Sequence, residues 1–144
     1  MPTDHATDAI EVKASFADVL ATLRDVESQP EWIPEILEAE LLEVDADGLA
    51  VTARFRASAT VGTDEYTLSY AHHEDGLSWT MVKGRLQTGQ EGRYVIREVA
   101  PDRTSVTYDL TIHHNLPLPG FLRNRVIKGL VESTLTGLRK HLED

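Results

Sequence analysis

From residue 36 to residue 113 apolar side chains recur at every second position, segment after segment. From about Phe121 to the C-terminus they recur instead at helical spacing without a break. Period two marks half-buried strands and period 3.6 an amphipathic helix. The strand segments are Ile36–Val44, Leu49–Ala57, Glu65–His73, Leu77–Val82, Arg93–Val99 and Ser105–His113. Val51, Ala53, Phe55 and Ala57 share one face of the second, with Thr52, Arg54 and Arg56 opposite. Tyr66, Leu68 and Tyr70 align in the third, Leu77, Trp79 and Met81 in the fourth, and Val106, Tyr108, Leu110 and Ile112 in the last. In Arg93–Val99 the inner face is open between Val95 with Val99 and Tyr94 with Ile96. Asp45-Ala-Asp-Gly48, Glu74-Asp-Gly76 and Pro101-Asp-Arg103 read as turns, and Gly84 to Gly92 as a loop or a long hairpin.

Ahead of the strands, Ala9–Val12 is a short strand candidate. Ser15, with Asp18 three residues on, caps a helix over Phe16–Arg24. One short helix fits between Pro30 and Pro34. Consecutive antiparallel strands with helices at the ends specify an α+β domain over residues 1–144. A bent antiparallel sheet must cover its apolar concave face. Only the terminal helix is long enough, so the curved sheet should wrap around it. That helix has apolar residues at 122, 126, 127, 130, 131, 135, 138 and 142, and carries Gly129 and Gly137 in its interior. Each interior glycine costs about 0.8–1 kcal/mol against alanine, so each asks for a reason: open volume beneath the helix, or close backbone packing.

Composition narrows the function classes. With no cysteine, disulfides, thiolate catalysis and cysteine-ligated metals are excluded. The net charge of −10 disfavours nucleic acid as a partner. Residues 1–50 concentrate the acidity, with 13 acidic and 2 basic side chains. No apolar run approaches the roughly 20 residues of a membrane span. MPTDHATDAIEV lacks the basic start and apolar core of a leader, so the expected location is the cytoplasm.

Three stretches give the chain a family likeness: Ile10–Val19 with Leu23-Arg-Asp-Val-Glu-Ser-Gln-Pro30-Glu-Trp32-Ile-Pro34, then Gly92–Ile96, then Val106–Leu110 followed by the closing helix. On these residues the chain resembles the START-like (SRPBCC) helix-grip superfamily, in its polyketide cyclase/dehydrase and coenzyme Q-binding-like branch. The resemblance spans essentially the whole chain. It implies a START or pollen-allergen-like helix-grip fold, with a cavity between sheet and last helix that takes a hydrophobic small molecule. It implies no cofactor.

On that expectation the inward strand faces supply the ligand wall: Phe55, Tyr66, Leu68, Tyr70, Trp79, Met81, Tyr108, Leu110 and Ile112. Tyr94 joins them if its face turns inward. Val126, Leu130 and Thr134 would face them from the helix, and Trp32 would sit at a rim as plug or contact. Taken without the resemblance, the same side chains could simply fill a core. The adjacent pairs His72-His73 and His113-His114 cannot grip one metal, because neighbours on a strand point to opposite faces. No metal site is expected. His72, His114 and Tyr108 are the candidate catalytic groups, because each could donate or accept a proton beside a bound carbonyl. No buried acid–base pair stands out, which favours a binding or transfer protein for a lipid, isoprenoid quinone or polyketide-like molecule. The alternative is a polyketide cyclase, aromatase or dehydratase. Leu116–Lys128, with Arg123 and Arg125 beside leucines and Phe121, is a candidate for transient membrane contact. There is no GxSxG elbow and no P-loop, and Gly89-Gln-Glu-Gly92 is too short for a dinucleotide fingerprint.

Overall fold

The computed structural model describes residues 2–59 and 62–143. Seven strands form one antiparallel sheet: β1 (Thr3–Val12), β2 (Ile36–Val44), β3 (Ala50–Ala59), β4 (Gly62–His73), β5 (Gly76–Gly84), β6 (Gln87–Ala100) and β7 (Arg103–His114). The strand order is β1-β7-β6-β5-β4-β3-β2. Two short helices, α1 (Phe16–Arg24) and α2 (Gln29–Trp32), link β1 to β2 through a 3-10 turn at Val26–Ser28. The long helix α3 (Gly120–Glu143) closes the chain. This is the helix-grip arrangement expected from the sequence. Register shifts in β2–β3, β4–β5 and β6–β7 bend the sheet.

Two strands differ from the sequence reading. β1 begins at Thr3 rather than Ala9, and its first half pairs with the end of β7, Asp4 opposite Ile112 and Ala6 opposite Leu110. Asp4, His5, Thr7 and Asp8 hide this strand because its outer face is polar and Asp4 is itself an inward residue. Of the two readings of Gly84 to Gly92 the long hairpin holds, and the strand that follows, β6, begins at Gln87 rather than Arg93. In β6 the inner face belongs to Tyr94 and Ile96, 3% and 2% exposed, while Val99 is outside. Arg54 and Arg56 point outward, where they pair with Glu40 at 3.2 Å and Glu38 at 2.9 Å on the edge strand β2. Charged residues on that edge discourage pairing with another chain.

Helix α3 turns Ile127, Val131, Leu135 and Leu138 toward the sheet. Burying each is worth about 1.5–3 kcal/mol, which outweighs the cost of the two glycines. Those glycines have different reasons. A Cβ on Gly137 would stand 1.8 Å from the Trp32 carbonyl oxygen, so this turn of α3 lies directly on the α2 backbone. A Cβ on Gly129 would meet nothing within 4 Å. Gly137 is therefore required and Gly129 is spare. Chemical denaturation should show Gly129→Ala gaining about 0.5–1 kcal/mol and Gly137→Ala losing at least that much. Equal effects at the two sites would contradict this packing.

Candidate functional site

A cavity of about 490 Å³ lies between the sheet and the N-terminal half of α3. Phe55, Tyr66, Leu68, Tyr70, Trp79, Tyr94, Tyr108, Leu110 and Ile112 line it from the strands. Val126, Ile127, Gly129, Leu130 and Thr134 line it from the helix. Exposed lining residues, Ser58, Ala59, Arg125 and Val126, mark where it reaches solvent.

The strand side of the cavity carries two aromatic clusters. Trp79 contacts Tyr70, Tyr94 and Tyr108 with ring centres 5.9, 5.2 and 5.9 Å apart, and Phe55 stacks on Tyr66 at 5.5 Å. Trp79 lies opposite Gly92 in the ladder, and a Cβ there would stand 2.1 Å from the indole. Glycine at 92 lets the ring lie against the β6 backbone. Burial pushes the hydroxyls of Tyr66, Tyr70, Tyr94 and Tyr108 well above their ordinary range, so all four stay neutral.

The second feature is a relay of polar side chains. The Trp79 indole N–H donates to Gln90 Oε1 at 2.8 Å, and the Gln90 amide donates to Gln87 Oε1 at 2.7 Å. The Gln87 amide donates to Asp64 Oδ2 at 3.1 Å. Asp64, 3% exposed, also accepts from the backbone N–H of Leu86 at 2.8 Å. Three donors therefore satisfy it, counting the longer Gln87 backbone contact of 3.4 Å.

The third is a buried cluster in which Asp4 meets His114 and Arg123. His114 and Asp4, 4% and 7% exposed, meet Nε2 to Oδ2 at 2.7 Å. Arg123 on α3 brings its Nε to 3.5 Å from Asp4 Oδ1. His114 Nδ1 accepts from the Leu116 backbone N–H at 3.1 Å. An acceptor at Nδ1 carries no proton, so the proton sits on Nε2 and is donated to Asp4. Both ring nitrogens are thus occupied.

Of the candidate catalytic groups, His114 and Tyr108 line the cavity and His72 does not. His72 Nε2 donates to the Ala50 carbonyl at 2.8 Å, and its ring lies against Tyr70 at 6.3 Å. It lies off the cavity lining because Tyr70 and the β3 backbone hold it. Trp32 and Met81 are also off the lining. Trp32 is 4% exposed and donates to Ser28 Oγ at 3.2 Å, fixing α2 beneath α3. Met81 packs beside Gly84 at the β5–β6 turn. The partners of the two histidine pairs point outward: His73 bonds Ser78 and His113 bonds Glu91. Among the described residues no group of His, Cys, Asp and Glu could hold a metal ion. Asp4, Asp64, Gln87, Gln90 and Arg123 were not legible as site residues. Asp4 lies ahead of the Ala9–Val12 strand candidate, Gln90 lies in the stretch open between loop and hairpin, and the His114–Asp4 contact spans 110 positions.

The family described as polyketide cyclase / dehydrase and lipid transport matches residues 3–143. No curated protein matches the sequence. Among solved structures, a START superfamily protein from Mycobacterium smegmatis is similar at 24% identity and a TM-score of 0.90, covering 96% of this chain and 97% of its own. The Zhui aromatase/cyclase of a Streptomyces species is similar at 13% identity and a TM-score of 0.81, covering 99% and 94%. A STAR-related lipid transfer protein fragment from Xanthomonas axonopodis is similar at 20% identity and a TM-score of 0.73, covering 97% and 86%.

The tyrosine environments give a pH test. A raised folded-state value leaves stability intact below the unfolded value of about 10 and removes it as pH rises beyond, because only the unfolded phenols ionise. Phenolate absorbance should therefore appear together with loss of secondary structure by circular dichroism. Tyrosine ionisation near pH 10 in a chain that keeps its circular dichroism would contradict this burial.

Proposed function

This chain belongs to the polyketide cyclase / dehydrase and lipid transport family, and on that footing we propose that it binds a small hydrophobic molecule in the cavity and serves as a binding or transfer protein. A lipid, an isoprenoid quinone or a polyketide-like compound fits a space of about 490 Å³, which lies in the ordinary range for ligand pockets. Affinity would come from apolar burial at about 25 cal/mol per Å² against the rings of Trp79, Tyr94 and Tyr108. The observation that carries the reading is how the cavity's buried carboxylate and imidazole groups are held. His114 has no free nitrogen, and Asp64 is held by donors. A general base needs an open lone pair within reach of its substrate.

The alternative is cyclase, aromatase or dehydratase chemistry in the same cavity, and the aromatase/cyclase likeness favours it. It would fall to Glu35, which lines the cavity and is engaged through one oxygen only, by Ser133 Oγ at 3.1 Å, or to the neutral tyrosine hydroxyls, with Tyr108 well placed against the aromatic wall.

A transfer role also needs an exit. Phe121 is 71% and Val126 40% exposed, with Arg125 and Lys128 exposed beside them. Apolar and basic side chains at a cavity mouth suit brief contact with an anionic bilayer, although the whole chain is acidic.

The two tryptophans make the reading testable, because Trp79 lines the cavity and Trp32 does not. In Trp32→Phe, decylubiquinone should quench the remaining indole saturably at one equivalent. In Trp79→Phe, quenching of Trp32 should be weak and unsaturable. With the quinone supplied in vesicles, the rate should rise with the anionic lipid fraction. Equal quenching of both indoles would contradict binding in this cavity.

A further inference from the structure

We propose that the side-chain amide of Gln90, with that of Gln87 next to it, hydrogen-bonds a carbonyl oxygen of the bound molecule, so that the cavity selects hydrophobic ketones and quinones over hydrocarbons of the same shape. This rests on the ligand-binding reading above and names the class of ligand. The orientation of both amides is fixed by the two ends of the relay. An indole N–H can only donate and a carboxylate can only accept. Gln90 must therefore turn its oxygen to Trp79 and its amino group to Gln87, and Gln87 must turn its amino group to Asp64. Flipping Gln90 would set donor against donor at the indole. Flipping Gln87 would set acceptor against acceptor at the carboxylate.

Each amino group carries two hydrogens, and the relay uses one from each. The second N–H of Gln90 has no partner among the described residues, although the residue is only 7% exposed and lines the cavity. A buried donor without an acceptor is costly to leave unmade, more so than a second empty lone pair on an oxygen. The cavity thus offers a donor that a guest can satisfy with an acceptor. The neighbouring groups do not supply that acceptor. His114 is occupied at both nitrogens, and the Asp64 carboxylate is already held by Gln87 and Leu86. The tyrosine hydroxyls both give and accept, so they do not discriminate between a ketone and an alcohol. Trp79, bonded to the same amide, presents a flat face beside it. A conjugated carbonyl could lie against that ring with its oxygen toward Gln90.

Fluorenone and fluorene differ only in the carbonyl, and both suit the cavity. Wild-type protein should bind fluorenone about three- to tenfold more tightly than fluorene, the difference one net hydrogen bond makes. Infrared difference spectra of carbonyl-labelled fluorenone should show a stretch lowered from its position in hexane. Gln90→Met should abolish both the preference and the lowering, so that the ratio of the two affinities falls to about one. Equal affinities with an unshifted stretch in the wild type would overturn this inference and leave the binding reading standing. So would a preference that survives Gln90→Met. Failure of both compounds to bind would overturn the binding reading itself, and this inference with it. The wild-type comparison decides the matter if the variant does not fold.

Discussion

Backbone contact between Gly137 and the Trp32 carbonyl sets how the last helix sits. It holds the C-terminal half of α3 close, where Leu135 and Leu138 are buried completely. The N-terminal half then spans the concave face, from Arg123 to Thr134, with the cavity beneath it. A protein interior is ordinarily packed as densely as an organic crystal. Space persists here because the helix cannot drop onto the sheet. Aromatic rings stiffen one side, and Asp4, His114 and Arg123 join β1, β7 and α3 at the other end.

The polar groups around that space are chiefly paired with each other. Asp64 takes its donors from Gln87 and the hairpin backbone, and His114 is shared between Asp4 and Leu116. Pairing of this kind keeps buried polar groups from carrying an unpaid desolvation cost. It engages His114 and Asp64, and leaves Glu35, bonded to Ser133 through one oxygen, as a carboxylate of the lining with a second oxygen open. The proposed binding role rests on this pairing of His114 and Asp64.

Much of the architecture was legible because strand alternation is local. Tyr66, Leu68 and Tyr70 against Thr67 and Ser69 need no partner to reveal a face, and neither do Val106 to Ile112. The first half of β1 was not legible, because its inward Asp4 is polar and its reason for burial stands 110 residues away in His114. The first half of β6 was obscured by Gly89 and Gly92, which look like turn residues. In the structure Gly92 makes room for Trp79, a requirement set by the neighbouring strand. His72 has the right parity and lies off the cavity, since parity gives a face and not a depth. The two glycines of α3 carry the same residue type for different reasons, which only packing separates.

The central claim is that the space under α3 holds a guest. Native mass spectrometry of the protein purified from its own cells tests it most directly. The account predicts a species heavier than the bare chain by one small apolar molecule, which organic extraction releases. A bare chain that also fails to take up any compound from a total lipid extract would contradict it.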